Sequence, residues 1–186
     1  MPKGLAINSK TFTALSIQEF TETELHHPDY YAWLREYNNI RYIGRYEYLL
    51  NTPFSEVENY ILDLINSNNN CFFAVYFNGT FIGTLKIGHI NWINSVADIG
   101  FLIGNENYRG RGIGTETLHM GCRYAFECLG LRKLEGGCFA SNIPAVKMFQ
   151  KAGFILEGVL RKKLKLGDRF DDHNLYGLFA EEFINE

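Results

Sequence analysis

The stretch Tyr108-Arg109-Gly110-Arg111-Gly112-Ile113-Gly114-Thr115 holds the residues best suited to chemistry. The apolar segment SVADIGFLIG (95–104) runs into it, and a helical pattern starts at Thr115. A glycine-rich loop between strand and helix turns successive backbone amides toward one point. There the amides and the helix dipole attract phosphate. Arg109 and Arg111 add positive charge. The stretch is no P-loop, because the Lys-Ser/Thr pair is missing, and its G-x-G-x-G spacing is not the dinucleotide fingerprint. Taken alone, the loop also reads as a tight turn that needs glycine for steric reasons only.

The flanking pattern supplies the strand and the helix that such a loop requires. CFFAVYF (71–77) and TFIGTLKIG (80–88) flank Asn78-Gly79, which favours a type I′ hairpin because both positions tolerate positive φ. SVADIGFLIG is the third strand of this group. The helix covers about Thr115 to Leu129, with Leu118, Cys122, Ala125, Phe126 and Leu129 in one stripe, and Gly130 stops it. KLEGGCF (133–139) is a strand, and a helix from about Ile143 to Lys151 carries Pro144 in its first turn. Gly153 ends that helix, and FILEGVL and HNLYGLF (173–179) form two last strands around LGDRF. Upstream, residues 10–20 read as a strand and Pro28 to Ile65 as helical and aromatic, with Pro53 opening FSEVENYILDLI. Asn66 to Asn70 (NSNNN) is a polar turn. The order is β, helices, β-hairpin, β, helix, β, helix, β, β, which is α/β with a mixed sheet.

Length and charge narrow the function classes. The 186 residues allow one domain, 1–186, with a substantial core. A formal net charge of −3 argues against a nucleic-acid partner held by phosphate neutralisation. No apolar run reaches the roughly 18 residues of a membrane span, and MPKGLAINSK lacks a secretory apolar block. The expectation is a cytoplasmic protein with no membrane partner. Cys71, Cys122, Cys128 and Cys138 form no CxxC pair and read as buried free thiols. The five histidines are scattered without an HExxH, so no metal is expected.

Arg109-x-x-Gly112-x-Gly114 resembles the Q/R-x-x-G-x-G/A pyrophosphate motif of the GNAT N-acetyltransferases. Asn142-Ile-Pro-Ala145, 28 residues beyond Gly114, and Gly153-Phe154 resemble that family's N-x-x-A…GF segment. The ending LEGVLRKKLKLGDRFDDHNLYGLF resembles the hairpin of its RimJ/RimL-like branch, which acetylates ribosomal-protein N-termini. The resemblance implies the GNAT fold, a mixed and mostly antiparallel sheet of about six to seven strands with about four helices on both faces. Residues 71–179 correspond to an acetyl-CoA-binding core and 10–65 to a variable acceptor side.

The same resemblance implies acetyl transfer from acetyl-CoA, a co-substrate, to an amine. Arg109, Gly110, Arg111, Gly112, Ile113, Gly114 and Thr115 are expected at the pyrophosphate, and amides of Phe101, Leu102 and Ile103 at the oxyanion. Asp98 matches the catalytic glutamate of histone-acetylating members; a carboxylate raised in pKa by partial burial takes the amine proton, directly or through water. The alternative is a strand acid that orders a neighbouring loop. Glu135 resembles the recurrent acid of the RimJ/RimL branch, with catalysis and structure both open. Phe149 stands where many members carry the tyrosine that protonates the leaving thiolate. Ser141, a water or unassisted departure must then serve. Asn142 reads as a helix N-cap and, by resemblance, as a contact to the pantetheine or acetyl region.

The acceptor is less defined. Seven tyrosines between residues 30 and 60, with Trp33, Arg35, Arg41 and Arg45, would suit a sugar or base and a diphosphate. Trp33, Arg35, Tyr37 and Arg41 are the expected acceptor contacts, although packing of aromatics on the sheet explains most of this cluster equally well. A protein N-terminal amine ranks first as acceptor, a nucleotide-linked amino sugar second and a polyamine last. A CoA-binding sensor without catalysis is the reading of a different class. The oligomeric state is open between monomer and homodimer.

Overall fold

A computed structural model describes residues 6–44 and 50–183. Its eight strands are β1 (Ala6–Asn8), β2 (Leu15–Glu19), β3 (Cys71–Phe77), β4 (Thr80–Asn91), β5 (Val96–Ile103), β6 (Lys133–Phe139), β7 (Ile155–Leu166) and β8 (Arg169–Phe179). They form one sheet in the order β1-β2-β3-β4-β5-β6-β8-β7. Every neighbouring pair is antiparallel except β5 and β6. This is the expected mixed sheet with one more strand. The addition is β1, a three-residue piece too short to show alternation in sequence.

Six helices accompany the sheet among the described residues: α1 (Glu22–Leu25), α2 (Pro28–Trp33), α3 (Tyr37–Ile40), α4 (Phe54–Asn66), α5 (Ile113–Arg123) and α6 (Ile143–Lys151). The helical stretch expected from Pro28 to Ile65 is therefore broken, among the described residues, into the short α2 and α3 and the thirteen-residue α4. Thr21 and Glu24 close a capping box on α1, and His27 with Pro28 starts α2 at once. α5 widens into a π-turn at Tyr124–Cys128 before Gly130, rather than staying α-helical to Leu129.

Two apolar layers clamp the sheet. Along β3, Cys71, Phe73 and Val75 face one cluster with Ile113, Leu118 and Cys122 of α5 and Phe149 of α6. Phe72 and Ala74 face the other, with Leu25, Trp33, Val57, Ile61 and Leu64 from α1, α2 and α4. Period two in the strand meets period 3.6 in the helices, so each face buries its own stripe. The turn between β3 and β4 has Asn78 at φ 50 and Gly79 at φ 74, the positive pair a type I′ hairpin requires.

Candidate active site

The sheet opens at its one parallel pair. β5 and β6 are in register only at Val96–Lys133, Ala97–Leu134 and Asp98–Glu135. Beyond this, β5 continues to Ile103 against β4, and β6 to Phe139 against β8. The Gly104 amide donates to the Ile82 carbonyl on β4 at 2.9 Å. Alternation along β5 then turns the amides of Phe101 and Ile103 into the opening and that of Leu102 toward β4. Of the three expected oxyanion donors, Leu102 thus contributes its side chain to the wall and not its amide.

A cavity of about 570 Å³ occupies this fork, lined by β5 residues, the glycine loop and α6. Gly112, at φ 81, is the N-cap of α5, and no side chain caps it. A left-handed N-cap favours glycine, and it leaves the first amides of the helix free for an anion. The first amide to bond back is that of Glu116, to the Gly112 carbonyl at 3.1 Å. Gly110, Gly114 and Thr115 also line the cavity, and the ring of Phe101 sits where a Cβ on Gly114 would meet it at 3.2 Å. Ile113 is buried in the core, so only its backbone faces the loop.

The two arginines are not equivalent. Arg109 Nε donates to the Ile103 carbonyl at 2.8 Å, and Nη2 to the same carbonyl and to Asn39 Oδ1, each at 2.6 Å. The guanidinium thus ties the end of β5 to α3 at the wall of the cavity. Burial lowers its pKa, against the pull of Glu106 and Glu36. Arg111 is exposed and does not line the cavity. The further cations at the wall are Lys147 and Lys151, one turn apart on α6 and absent from the sequence expectation.

Asn142 lines the cavity and caps α6, its Oδ1 accepting from the Ala145 amide at 3.4 Å. Phe149 is buried, stacked on Tyr176 at 4.9 Å and edge-on to Phe154. Ser141 lies off the cavity, where its hydroxyl donates to Asp171 Oδ2 at 2.6 Å. Burial acts to raise the Asp171 pKa, but the Ser141 hydroxyl and amide and the Asp172 amide outweigh it and hold it below the usual carboxylate range. The Ser141 proton is committed to an ionised partner, which removes it as donor to a leaving thiolate.

Asp98 and Glu135 are register partners at the crotch of the fork. Both are on the surface: the Asp98 side chain is 57% exposed, and Glu135 pairs with Lys133 at 3.4 Å. The partial burial expected of Asp98 is therefore missing. Its Oδ2 instead meets Nδ1 of His89 at 2.7 Å.

The expected acceptor contacts are drawn elsewhere. Trp33 is buried against Phe81 and the backbone at Gly104. Arg35 donates to the carbonyls of Leu50 and Thr52 and to the Tyr31 hydroxyl. Arg41 stacks on Tyr42 with its centre 5.0 Å from the ring, and Tyr37 is an exposed residue of α3. None of these four lines the cavity; Asn38, Asn39, Tyr42 and Ile43, next to Tyr37 and Arg41 in the chain, do. Arg45 lies outside the described residues. The sequence carried no signal for Asn38 and Asn39, since asparagine in a short helix or turn is unremarkable.

Residues 15–155 match the family model of the acetyltransferase (GNAT) domain. The chain belongs to the GNAT acetyltransferase family. It is 32% identical over 98 residues to a probable N-acetyltransferase of Bacillus subtilis (strain 168), covering 52% of this chain and 54% of that one. It is 30% identical over 104 residues to the ribosomal-protein-serine acetyltransferase of Escherichia coli (strain K12), covering 56% and 58%. The chain thus spans a little over half the length of the curated relatives it matches. A spermidine N-acetyltransferase from Vibrio cholerae, solved with CoA and spermine, superposes with a TM-score of 0.84 at 21% identity over 93% of this chain and 99% of that one. That likeness establishes a GNAT fold. Among the described residues no three His, Cys, Asp or Glu side chains gather as a metal site needs, and no helix is long and apolar enough to cross a membrane. Of the cysteines, Cys71, Cys122 and Cys138 are buried, while Cys128 is exposed, contrary to expectation.

Proposed function

We propose that this GNAT protein transfers acetyl from acetyl-CoA to a primary amine, with a protein N-terminal amine as acceptor. The fork between β5 and β6 carries this reading. Its open strand edge offers amides to an extended amide-bearing chain, and its wide end meets the uncapped start of α5, where a pyrophosphate fits. Lys147 and Lys151 stand beside that end as counter-charges.

Within that arrangement the amine attacks the thioester carbon, and negative charge gathers on the carbonyl oxygen. The Phe101 and Ile103 amides are fixed by the β4 ladder and cost no reorganisation as that charge develops. The ammonium must first lose a proton, which we assign to the Asp98 corner of the fork. Phe149 supplies no proton and that of Ser141 is held by Asp171, so the thiolate leaves without help from either.

A polyamine is the second acceptor reading, supported by exposed carboxylates at Asp98 and Glu135 and by relatives named for spermidine. The amino-sugar reading loses support because Arg35 is engaged by the carbonyls of Leu50 and Thr52, away from the cavity. The test is thiol release from acetyl-CoA in the presence of N-terminal peptides, spermidine and an amino sugar. Turnover on the peptides above the others supports the first reading, and preference for spermidine replaces it. CoA binding without turnover on any amine would make the protein a sensor.

A further inference from the structure

The loop joining β1 to β2 belongs by sequence mostly to the acceptor-side region 10–65, yet its contacts run to the glycine loop. Two backbone hydrogen bonds close it on itself: the Ser9 amide donates to the Leu15 carbonyl and the Leu15 amide to the Phe12 carbonyl, each at 2.8 Å. Ser9 Oγ accepts from the amides of Thr11 at 3.1 Å and Phe12 at 2.9 Å, and its own proton goes to Glu116 Oε1 at 2.5 Å. Ser9 and Glu116 are both buried, so this hydrogen bond across 107 positions of chain is shielded from water. Glu116 lies in the first turn of α5, whose N-cap makes no side-chain hydrogen bond. A carboxyl group there is drawn to the helix N-terminus. This one accepts from Ser9 instead, which leaves the leading amides to an anion. Farther along the β1–β2 loop, the Phe12 ring lies against Gly112, where a Cβ would meet it at 3.7 Å. Phe77 of β3 packs on Tyr108 with ring centres 5.5 Å apart. Tyr108 and Gly112 both line the cavity, so a ring from outside supports the glycine loop at each end.

We infer that the Ser9–Glu116 hydrogen bond braces the CoA cradle, with Ser9, Glu116 and Phe12 as positioning residues for the pyrophosphate. This rests on the reading that acetyl-CoA lies along the fork with its pyrophosphate at the start of α5. None of the three lines the cavity, so each acts through the glycine loop. Gly112 has no side chain to anchor it at φ 81 and is held from both sides, by α5 after it and by Phe12 against it. Glu116 fixes the Ser9 hydroxyl, and the hydroxyl fixes the amides of Thr11 and Phe12. Helix and ring are thereby joined into one support. Backbone donors bind an anion well when they are already in place. Without the brace, each binding event must first order the loop, and the reaction at the other end of the fork is unaffected.

The test is CoA affinity by calorimetry, with urea unfolding in parallel. Ser9→Ala and Glu116→Ala are each expected to lose about tenfold in affinity, and Glu116→Gln, which keeps an oxygen for Ser9, to stay within about twofold. The Ser9→Ala/Glu116→Ala variant should lose no more than either single change, because the two residues act through one hydrogen bond. In turnover with the best amine of the panel, the Ser9→Ala loss is expected in KM for acetyl-CoA with kcat unchanged. Phe12→Ala leaves the hydrogen bond in place and should weaken CoA by a similar factor, so the brace is tested even if Ser9→Ala does not fold. A lower urea midpoint with unchanged CoA affinity, in Ser9→Ala or Phe12→Ala, makes these contacts structural only and overturns the inference. Additive losses in the double variant, or equal losses in Glu116→Gln and Glu116→Ala, overturn it too. Gly112→Trp separates the two levels. If CoA affinity survives that change as well, the cradle itself falls; if Gly112→Trp alone weakens CoA, only the brace does.

Discussion

The two faces of the sheet build their parts of the site in different materials. On the α5–α6 face the cavity meets backbone donors: the open edge of β5, the left-handed Gly112 and the first turn of α5. On the α1–α4 face it is lined by side chains of one short helix and the turn after it, Asn38, Asn39, Tyr42 and Ile43. Backbone donors are positioned by the ladder and tolerate most changes in side chain. Side-chain walls change with single substitutions. A common co-substrate is suited to the first kind of site and a variable acceptor to the second.

The sharpest way to break this contrast is Gly112→Trp. A side chain at φ 81 is strained and its Cβ would stand 3.7 Å from the Phe12 ring, so an indole there distorts the loop and CoA affinity is expected to fall more than about 100-fold by calorimetry. Retained affinity would mean that the loop is a turn and nothing more. Next comes Trp33→Ala on the opposite face. Removing a buried indole should cost about 3–5 kcal/mol in urea unfolding, with CoA affinity within about twofold. A raised acceptor KM at normal stability would instead return Trp33 to the acceptor wall.

Asn39→Ala probes the joint between the faces. Asn39 accepts from Arg109 Nη2 at 2.6 Å and donates to the Gly104 carbonyl at 3.2 Å. Its loss should cost about 1–2 kcal/mol and weaken both CoA and acceptor binding a few-fold. An effect on the acceptor alone would show that the two faces are not coupled here.

The smallest effect concerns His26, whose pKa is raised by the Glu22 carbonyl and then by the Glu58 carboxylate linking α1 to α4. A raised folded-state pKa gives stability that is full below the unfolded value and lost as pH rises through the folded one. The urea midpoint should therefore drop slightly from below pH 6 to above pH 8, and Glu58→Gln should flatten that step. A step of equal size in Glu58→Gln would assign it to another group.

The glycine loop, the Asn142 cap and the strands of 71–139 were legible because each follows from local rules: positive φ, capping, and period two. Those rules act over a few residues, so spacing records them. The Arg109 anchor was not legible, since its partners are two carbonyls at the end of β5 and an asparagine 70 positions away. The same holds for the commitment of Ser141 to Asp171, and for Trp33, whose type suited a binding stack and whose place is in the core.

The sequence by itself determined the family, the order of elements and the backbone cradle, because local conformational preference places those atoms. Only the tertiary structure decided which side chains face the fork. It gave Ser141 to Asp171 and Arg35 to the carbonyls of Leu50 and Thr52, and it brought Asn39 to Arg109 and His89 to Asp98. A side chain's role depends on which partners satisfy its polar atoms, and for these residues most of the partners come from another element of the fold.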